Sequence, residues 1–139
     1  MASITQRTTV DVGAETAWAA LRNVAEAHKL FAPVLTDCQL SADTRTVRFA
    51  NGLVVHERII DVDDAERRVA YTVLDGPGMT YHHASMRIEH AGSEHCLFVW
   101  TTDFLPEAAD KVLSSLIEQG TSALKRNLEA RTFTPSAVV

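Results

Sequence analysis

The hydrophobic period along the chain changes repeatedly, and each change marks an element. From Ser3 to Val12, Thr, Val and Ile alternate with polar residues, the period-two pattern of a strand. Ala14, Ala17, Trp18 and Leu21 then fall at i, i+3, i+4 and i+7, one face of a short helix. A second short helix is predicted over Ala25–Phe31. It must end near Ala32, because Pro33 disfavours helical geometry in the residue before it. Extended patterning resumes over Val34–Leu40 and recurs over Thr44–Ala50, Leu53–Val62, Arg68–Leu74, Thr80–His90 and His95–Phe104. Polar turn signals separate the later runs: Asp63-Asp64-Ala65-Glu66, Asp75-Gly76-Pro77-Gly78 and Ala91-Gly92-Ser93-Glu94. Asn51-Gly52 predicts a type I′ hairpin turn with positive φ angles. Turns at roughly 8–12-residue spacing indicate an antiparallel meander.

The last element is the longest. Val112, Leu113, Leu116, Ile117, Gly120, Ala123, Leu124 and Leu128 form one apolar and small-residue stripe. Asp110, Ser114, Glu118, Lys125 and Glu129 lie opposite it. Pro106 suits the first turn, where a missing N–H does no harm. The expected helix has about 24 residues, roughly 36 Å at 1.5 Å per residue. An α+β fold follows: a seven-stranded antiparallel sheet with one apolar face, curled around the long helix, with two short helices between strands one and two.

Composition narrows the function classes. A chain of 139 residues is expected to be one domain spanning 1–139, with 132–139 a loose tail. A net charge of −5 gives no basic footprint for nucleic acid or anionic lipid. No run approaches the roughly 20 apolar residues of a membrane span, and the N-terminus has no signal-peptide core. Two cysteines fall short of a disulfide framework, so a cytoplasmic setting is expected. Arginine outnumbers lysine ten to three, which suggests a GC-rich bacterium. No nucleophile triad, phosphate loop or dinucleotide fingerprint is present.

The element order resembles the helix-grip fold of the START and birch-pollen-allergen superfamily, also called SRPBCC. Within it the chain is similar to the small bacterial polyketide cyclase/dehydrase branch and, more distantly, to the plant abscisic-acid receptors. The resemblance is carried by Ala14-Glu15-Thr16-Ala17-Trp18-Ala19-Ala20-Leu21, Ala27-His28-Lys29-Leu30, His56-Glu57-Arg58-Ile59 and Asp63-Asp64. Tyr81-His82-His83-Ala84-Ser85-Met86-Arg87 and Val99-Trp100-Thr101-Thr102-Asp103-Phe104 extend it, so that it spans Ile4–Leu128. It implies a fold and a ligand cavity; a fold shared this widely does not fix an activity. Two departures speak against a gated receptor. The receptors' long gate loop is replaced by the tight Asn51-Gly52 hairpin, and the resemblance sets their pocket lysine near Thr36.

Strand alternation, read with the resemblance, assigns faces. Val55, Glu57 and Ile59 point inward, as do Tyr71 and Val73, then His82, Ala84, Met86 and Ile88. Phe98, Trp100 and Phe104 form the more apolar side of the last strand. Gly120 and Ala123 are expected to leave volume beneath the helix, and Leu124 to complete the wall. The expected cavity is apolar with three polar groups, the composition of a small-molecule site. Glu57 reads as a structural carboxylate, a ligand contact or a general acid or base whose pKa desolvation would raise. His82 lies about 10 Å from it, two strands away, too far for a direct bond. Tyr71 sits between and could relay through its hydroxyl. Trp18 and Trp100 read as core rather than ligand platform. His90 and His95 could meet across a hairpin, but two histidines alone make a poor metal site, so no metal or other cofactor is expected.

The leading expectation is a cavity that binds a hydrophobic or aromatic small molecule: a polyketide, an isoprenoid or a lipid-like metabolite. Cofactor-free cyclisation or dehydration is the catalytic version, with Glu57, His82 and Tyr71 as its candidate groups. A non-enzymatic carrier or partner-binding module is the alternative, and the sequence is compatible with a homodimer.

Overall fold

The computed structural model describes residues 2–76 and 78–130; the expected tail at 132–139 lies outside the described residues. Seven strands form one antiparallel sheet: β1 (Ala2–Val10), β2 (Leu35–Ser41), β3 (Thr44–Phe49), β4 (Val54–Asp63), β5 (Arg68–Val73), β6 (Tyr81–His90) and β7 (Cys96–Leu105). Their order is β1-β7-β6-β5-β4-β3-β2. Every step from β2 to β7 is a neighbour in both sequence and space, and β1 returns to pair with β7 over its whole length. Helices α1 (Ala14–Leu21) and α2 (Ala27–Leu30) lie between β1 and β2, and α3 (Asp110–Glu129) follows β7. This is the helix-grip arrangement: a curved sheet around a C-terminal rod.

Three local details differ from expectation. The predicted second helix is split into a 3₁₀ turn, Val24–Glu26, and the single turn of α2. The long helix has 20 residues, about 30 Å, preceded by a 3₁₀ turn at Glu107–Ala109. Pro106 stands before that turn in extended geometry (φ −78°, ψ 166°) rather than inside the helix.

The third difference is the β3–β4 hairpin. Phe49 N–H donates to Leu53 O (2.8 Å), and Gly52 N–H to Phe49 O (2.9 Å). The loop is therefore three residues, Ala50-Asn51-Gly52, and only Gly52 takes a positive φ, +90°. Asn51 acts through its side chain instead, its Oδ1 accepting Leu53 N–H at 2.9 Å. A three-residue loop with glycine in its last place is the next most favoured hairpin after the primed two-residue turns. The extra residue shifts the pairing by one, and such a shift reverses which side chains share a face.

The rod is held unevenly. Its C-terminal half is buried through Ala123, Leu124 and Leu128 and is tied down by polar bonds. Asn127 Nδ2 donates to Leu30 O (2.7 Å) and Ala32 O (2.9 Å), and Lys125 Nζ to Thr9 O (2.6 Å). In the first two turns Leu113 and Leu116 are only half-buried and Val112 is 66% exposed. That end of the rod spans an opening rather than a packed core.

Candidate functional site

Beneath the N-terminal half of α3 lies a cavity of about 440 Å³. Its floor is the inner face of β3 to β7, and its mouth is framed by Phe49 and Leu53, by Gly76, Gly78 and Met79, and by Val112 and Leu113. Val55, Glu57, Tyr71, Val73, His82, Met86, Trp100 and Gly120 all line it, as the inward assignments anticipate. Ile59, Ala84, Phe98 and Leu124 do not. Ala84, Phe98 and Leu124 are wholly buried in the solid core, and Ile59 is half-buried against it. Alternation fixes the face on which a side chain lies, not its depth along the strand. The inner face of β6 and β7 continues beneath α1, where Ala17 and Leu21 help fill the space.

Gly120 has a different role from the one its size suggested. A Cβ there would meet the Trp100 indole at 2.8 Å, so the missing side chain admits that ring against the helix rather than leaving a void. Ala123 is buried away from the cavity. Trp100 also packs on Phe31 (5.8 Å between centroids) and Phe98 (6.2 Å). Trp18 is a core residue whose Nε1–H donates to Asp64 Oδ1 at 2.9 Å.

The polar part of the cavity is built around a residue the sequence reading missed. Arg45 on β3 stands directly across from Glu57 on β4. Its Nε (2.9 Å) and Nη2 (2.6 Å) both donate to Glu57 Oε1, while Nη1 donates to Val24 O (3.1 Å). The two side chains are 8% and 10% exposed. Glu57 is thus half of a buried ion pair, a form of the structural carboxylate that its inward position left open, with Arg45 as the partner. Its Oε2 accepts no hydrogen bond among the described residues. Burial opposes the guanidinium's charge, but the Glu57 carboxylate outweighs this and holds Arg45 above its ordinary pKa. A two-residue turn at Asn51-Gly52 would have paired Glu57 with Thr46 and turned Arg45 outward; the three-residue loop brings Arg45 in. The available signal was the inward alternation of Arg45, Val47 and Phe49. Thr36 is exposed at a bulge in β2, and the buried cation of this cavity, Arg45, comes from β3.

Tyr71 bridges this pair and His82. The Arg45 guanidinium lies 5.6 Å from the Tyr71 ring centroid, and the His82 ring centroid lies 5.7 Å from it, tilted by 43°. Burial, reinforced by the Glu57 charge, pushes the Tyr71 hydroxyl's pKa up, so it remains a neutral phenol. Trp100's indole N–H is close enough to be felt by that hydroxyl but makes no well-formed hydrogen bond. Thr102 Oγ1, also in the cavity wall, is buried and unpartnered.

His82 lies one strand beyond Val73, which pairs with Glu57. Its Nδ1 accepts the Val73 backbone N–H at 3.0 Å. That bond requires a lone pair on Nδ1 and so places the ring proton on Nε2. Desolvation, with a smaller contribution from His83, lowers the His82 pKa to about 4, and the ring is neutral at neutral pH. The site therefore presents an unengaged carboxylate oxygen and an imidazole N–H roughly 10 Å apart, two strand spacings across an apolar floor.

The other candidates fall away from this site. His95 Nδ1 lies 3.2 Å from Asp11 Oδ1. Among the described residues no three metal-ligating side chains come together. Cys38 and Cys96 are free and buried, and burial pushes both thiols up, Cys96 to about 11. No described helix is long and apolar enough to cross a membrane.

A grip-shaped sheet with a rod above an apolar cavity defines a ligand-binding or cyclase-like fold of the START-like, SRPBCC type. The family model described as polyketide cyclase/dehydrase and lipid transport matches residues 1–129, and the chain belongs to that family. Among solved structures it is similar to XoxI from Bacillus cereus (19% identity, TM-score 0.87, covering 96% of this chain and 100% of that one). A START superfamily protein from Mycobacterium smegmatis is likewise similar (16%, TM-score 0.78, 94% and 99%). So is norcoclaurine synthase from Thalictrum flavum in complex with dopamine and hydroxybenzaldehyde (16%, TM-score 0.74, 96% and 89%). At these identities the likeness establishes the fold alone. No curated protein matches the chain.

Proposed function

We propose that the protein binds a hydrophobic or aromatic small molecule, of polyketide, isoprenoid or lipid-like character, in the cavity beneath α3. One observation carries this reading: a void of about 440 Å³ with apolar walls, interrupted only by a few convergent polar groups. That volume lies within the roughly 300–1,000 Å³ range of small-molecule sites. The buried, unpaired cysteines fit a cytoplasmic setting. The test is titration with the neutral apolar fluorophore N-phenyl-1-naphthylamine. Saturable enhancement is expected, with a change in Trp100 emission in a Trp18→Phe background, where Trp100 is the sole tryptophan. Val73→Trp, which fills the floor between Glu57 and His82, should abolish binding while the protein stays folded. An unchanged probe response in that variant would refute the assignment.

A catalytic reading is favoured by the free Glu57 Oε2 and the neutral His82 N–H. With a poly-carbonyl ligand held across the floor, Oε2 takes the acidic proton from a carbon between two carbonyls. The C–H electron pair becomes an enolate whose oxygen accepts a hydrogen bond from His82 Nε2–H or the Tyr71 hydroxyl. The enolate carbon attacks a second carbonyl carbon, and the proton passes from Glu57 to the resulting alkoxide. Loss of that hydroxyl with a neighbouring proton, as water, completes dehydration. Benzoylacetone in D₂O provides the assay. Accelerated exchange of its central C–H, lost in Glu57→Gln, supports turnover; exchange at the buffer rate in the native protein leaves a carrier.

A further inference from the structure

Four ionisable side chains line the cavity among the described residues: Arg45, Glu57, Tyr71 and His82. Arg45 and Glu57 carry opposite charges 2.6 Å apart and cancel. His82 gives its Nδ1 lone pair to a backbone amide, and Tyr71 is enclosed as a phenol. The wall is polar at defined points but has no net charge. A carboxylate brought into it would lose its hydration, at a large cost unless a free cation receives it. Arg45 offers poor compensation. Three of its five N–H donors are engaged, those of Nε and Nη2 by Glu57 and one of Nη1 by Val24 O, and any anion that met the other two would sit beside the Glu57 carboxylate. An uncharged ligand meets the opposite situation. A hydroxyl can donate to the unengaged Glu57 Oε2, and a carbonyl can accept from His82 Nε2–H across the floor.

We infer that the Arg45–Glu57 pair is a specificity device: it makes the cavity select uncharged ligands carrying a hydroxyl and a carbonyl, and reject carboxylates of the same shape. This rests on the cavity-binding reading above and names the ligand class it takes. A lone arginine in that wall would draw acidic ligands such as fatty acids. Glu57 is what prevents this, because it binds the guanidinium and sets a like charge beside the one cation among the described cavity residues.

The experiment compares two near-isosteric probes, 6-hydroxy-2-acetonaphthone and 6-hydroxy-2-naphthoate, by displacement of N-phenyl-1-naphthylamine at pH 7.5. They share one frame and differ in a neutral methyl ketone against a carboxylate. The native protein should bind the ketone at least tenfold more tightly. Glu57→Gln keeps the size of the side chain and frees the guanidinium, so the naphthoate should gain at least tenfold and the preference narrow or reverse. Arg45→Met/Glu57→Met removes both charges together, so it tests the idea even if the single variant folds poorly. It should still reject the naphthoate while losing affinity for the hydroxyl-bearing ketone. Equal or tighter binding of the naphthoate by the native protein would overturn the inference and leave the cavity reading standing. So would a fluorophore that neither naphthalene displaces, or a Glu57→Gln variant with unchanged preference. A fluorophore that fails to bind at all would remove the cavity reading itself, and this inference with it.

Discussion

Arg45→Met leaves a carboxylate stranded in the sheet, and the cost of doing so is set by the geometry of the pair. Both side chains are about nine-tenths buried, the closest contact is 2.6 Å, and the guanidinium supplies both hydrogen bonds to Glu57 Oε1. Removing one member of such a pair typically costs about 3–5 kcal/mol, because the remaining charge has no partner and little water. Replacing both members by apolar groups of similar size is often neutral or stabilising. Arg45→Met alone should therefore lower stability by about 3–5 kcal/mol, while Arg45→Met/Glu57→Met should lie within about 1 kcal/mol of the native protein or above it. At roughly 2–4 °C per kcal/mol for a chain of this size, the single variant should melt roughly 10 °C lower. Urea denaturation followed by far-ultraviolet circular dichroism, at unchanged m-value, gives the two differences and their coupling. A single variant costing less than about 1 kcal/mol would mean that water reaches the pair freely, and the argument for a buried, mutually neutralised site would fail.

His82 should leave a signature in the pH dependence. Its folded pKa is depressed, to about 4 from 6.5, so the unfolded chain binds the proton more readily than the folded one. The contribution is present above pH 6.5 and is lost as pH falls toward 4, by roughly 3 kcal/mol in full. In His82→Asn the amide oxygen can stand in for Nδ1, and the slope of stability between pH 4 and 6.5 should flatten relative to the native protein in denaturant titrations. Gly120→Ala forces the Trp100 ring away from α3. The cavity is the space open to that ring, so probe affinity should fall several-fold in the fluorescence titration while the melting temperature moves little. Gly52→Ala places a side chain at φ +90° with nothing around it to clash. Only backbone strain opposes it, so a loss of about 1–2 kcal/mol is expected in thermal melts.

The fold was legible because its signals are periodic and long. β4 and β6 each run ten residues, β6 alternating along nearly all of it and β4 as far as Ile59, and the inward sets of Glu57 and of His82 to Ile88 follow from that period read with the family resemblance. What escaped was set by single residues. One residue more in the β3–β4 loop decides whether Arg45 or Thr46 faces Glu57, and Asn-Gly is compatible with both loop lengths. Depth was equally invisible: the alternation that places Met86 at the cavity also places Ala84 in the core. Gly120 illustrates a third limit, since a missing side chain reads as space until its neighbour's position is known.

The bond from Val73 N–H to the His82 ring has one more consequence. Backbone pairing between β5 and β6 runs from Arg68↔Arg87 to Tyr71↔Ala84 and stops there. Beyond that point the strands are joined through side chains: the imidazole takes one amide, and the Thr72 hydroxyl takes the His82 carbonyl. The wall of the grip thus has a seam beside the mouth, fastened by groups that can rotate away without breaking a ladder. Protonating Nδ1 would unfasten it, so amide exchange at Val73 should quicken in acid before the rest of β5 responds.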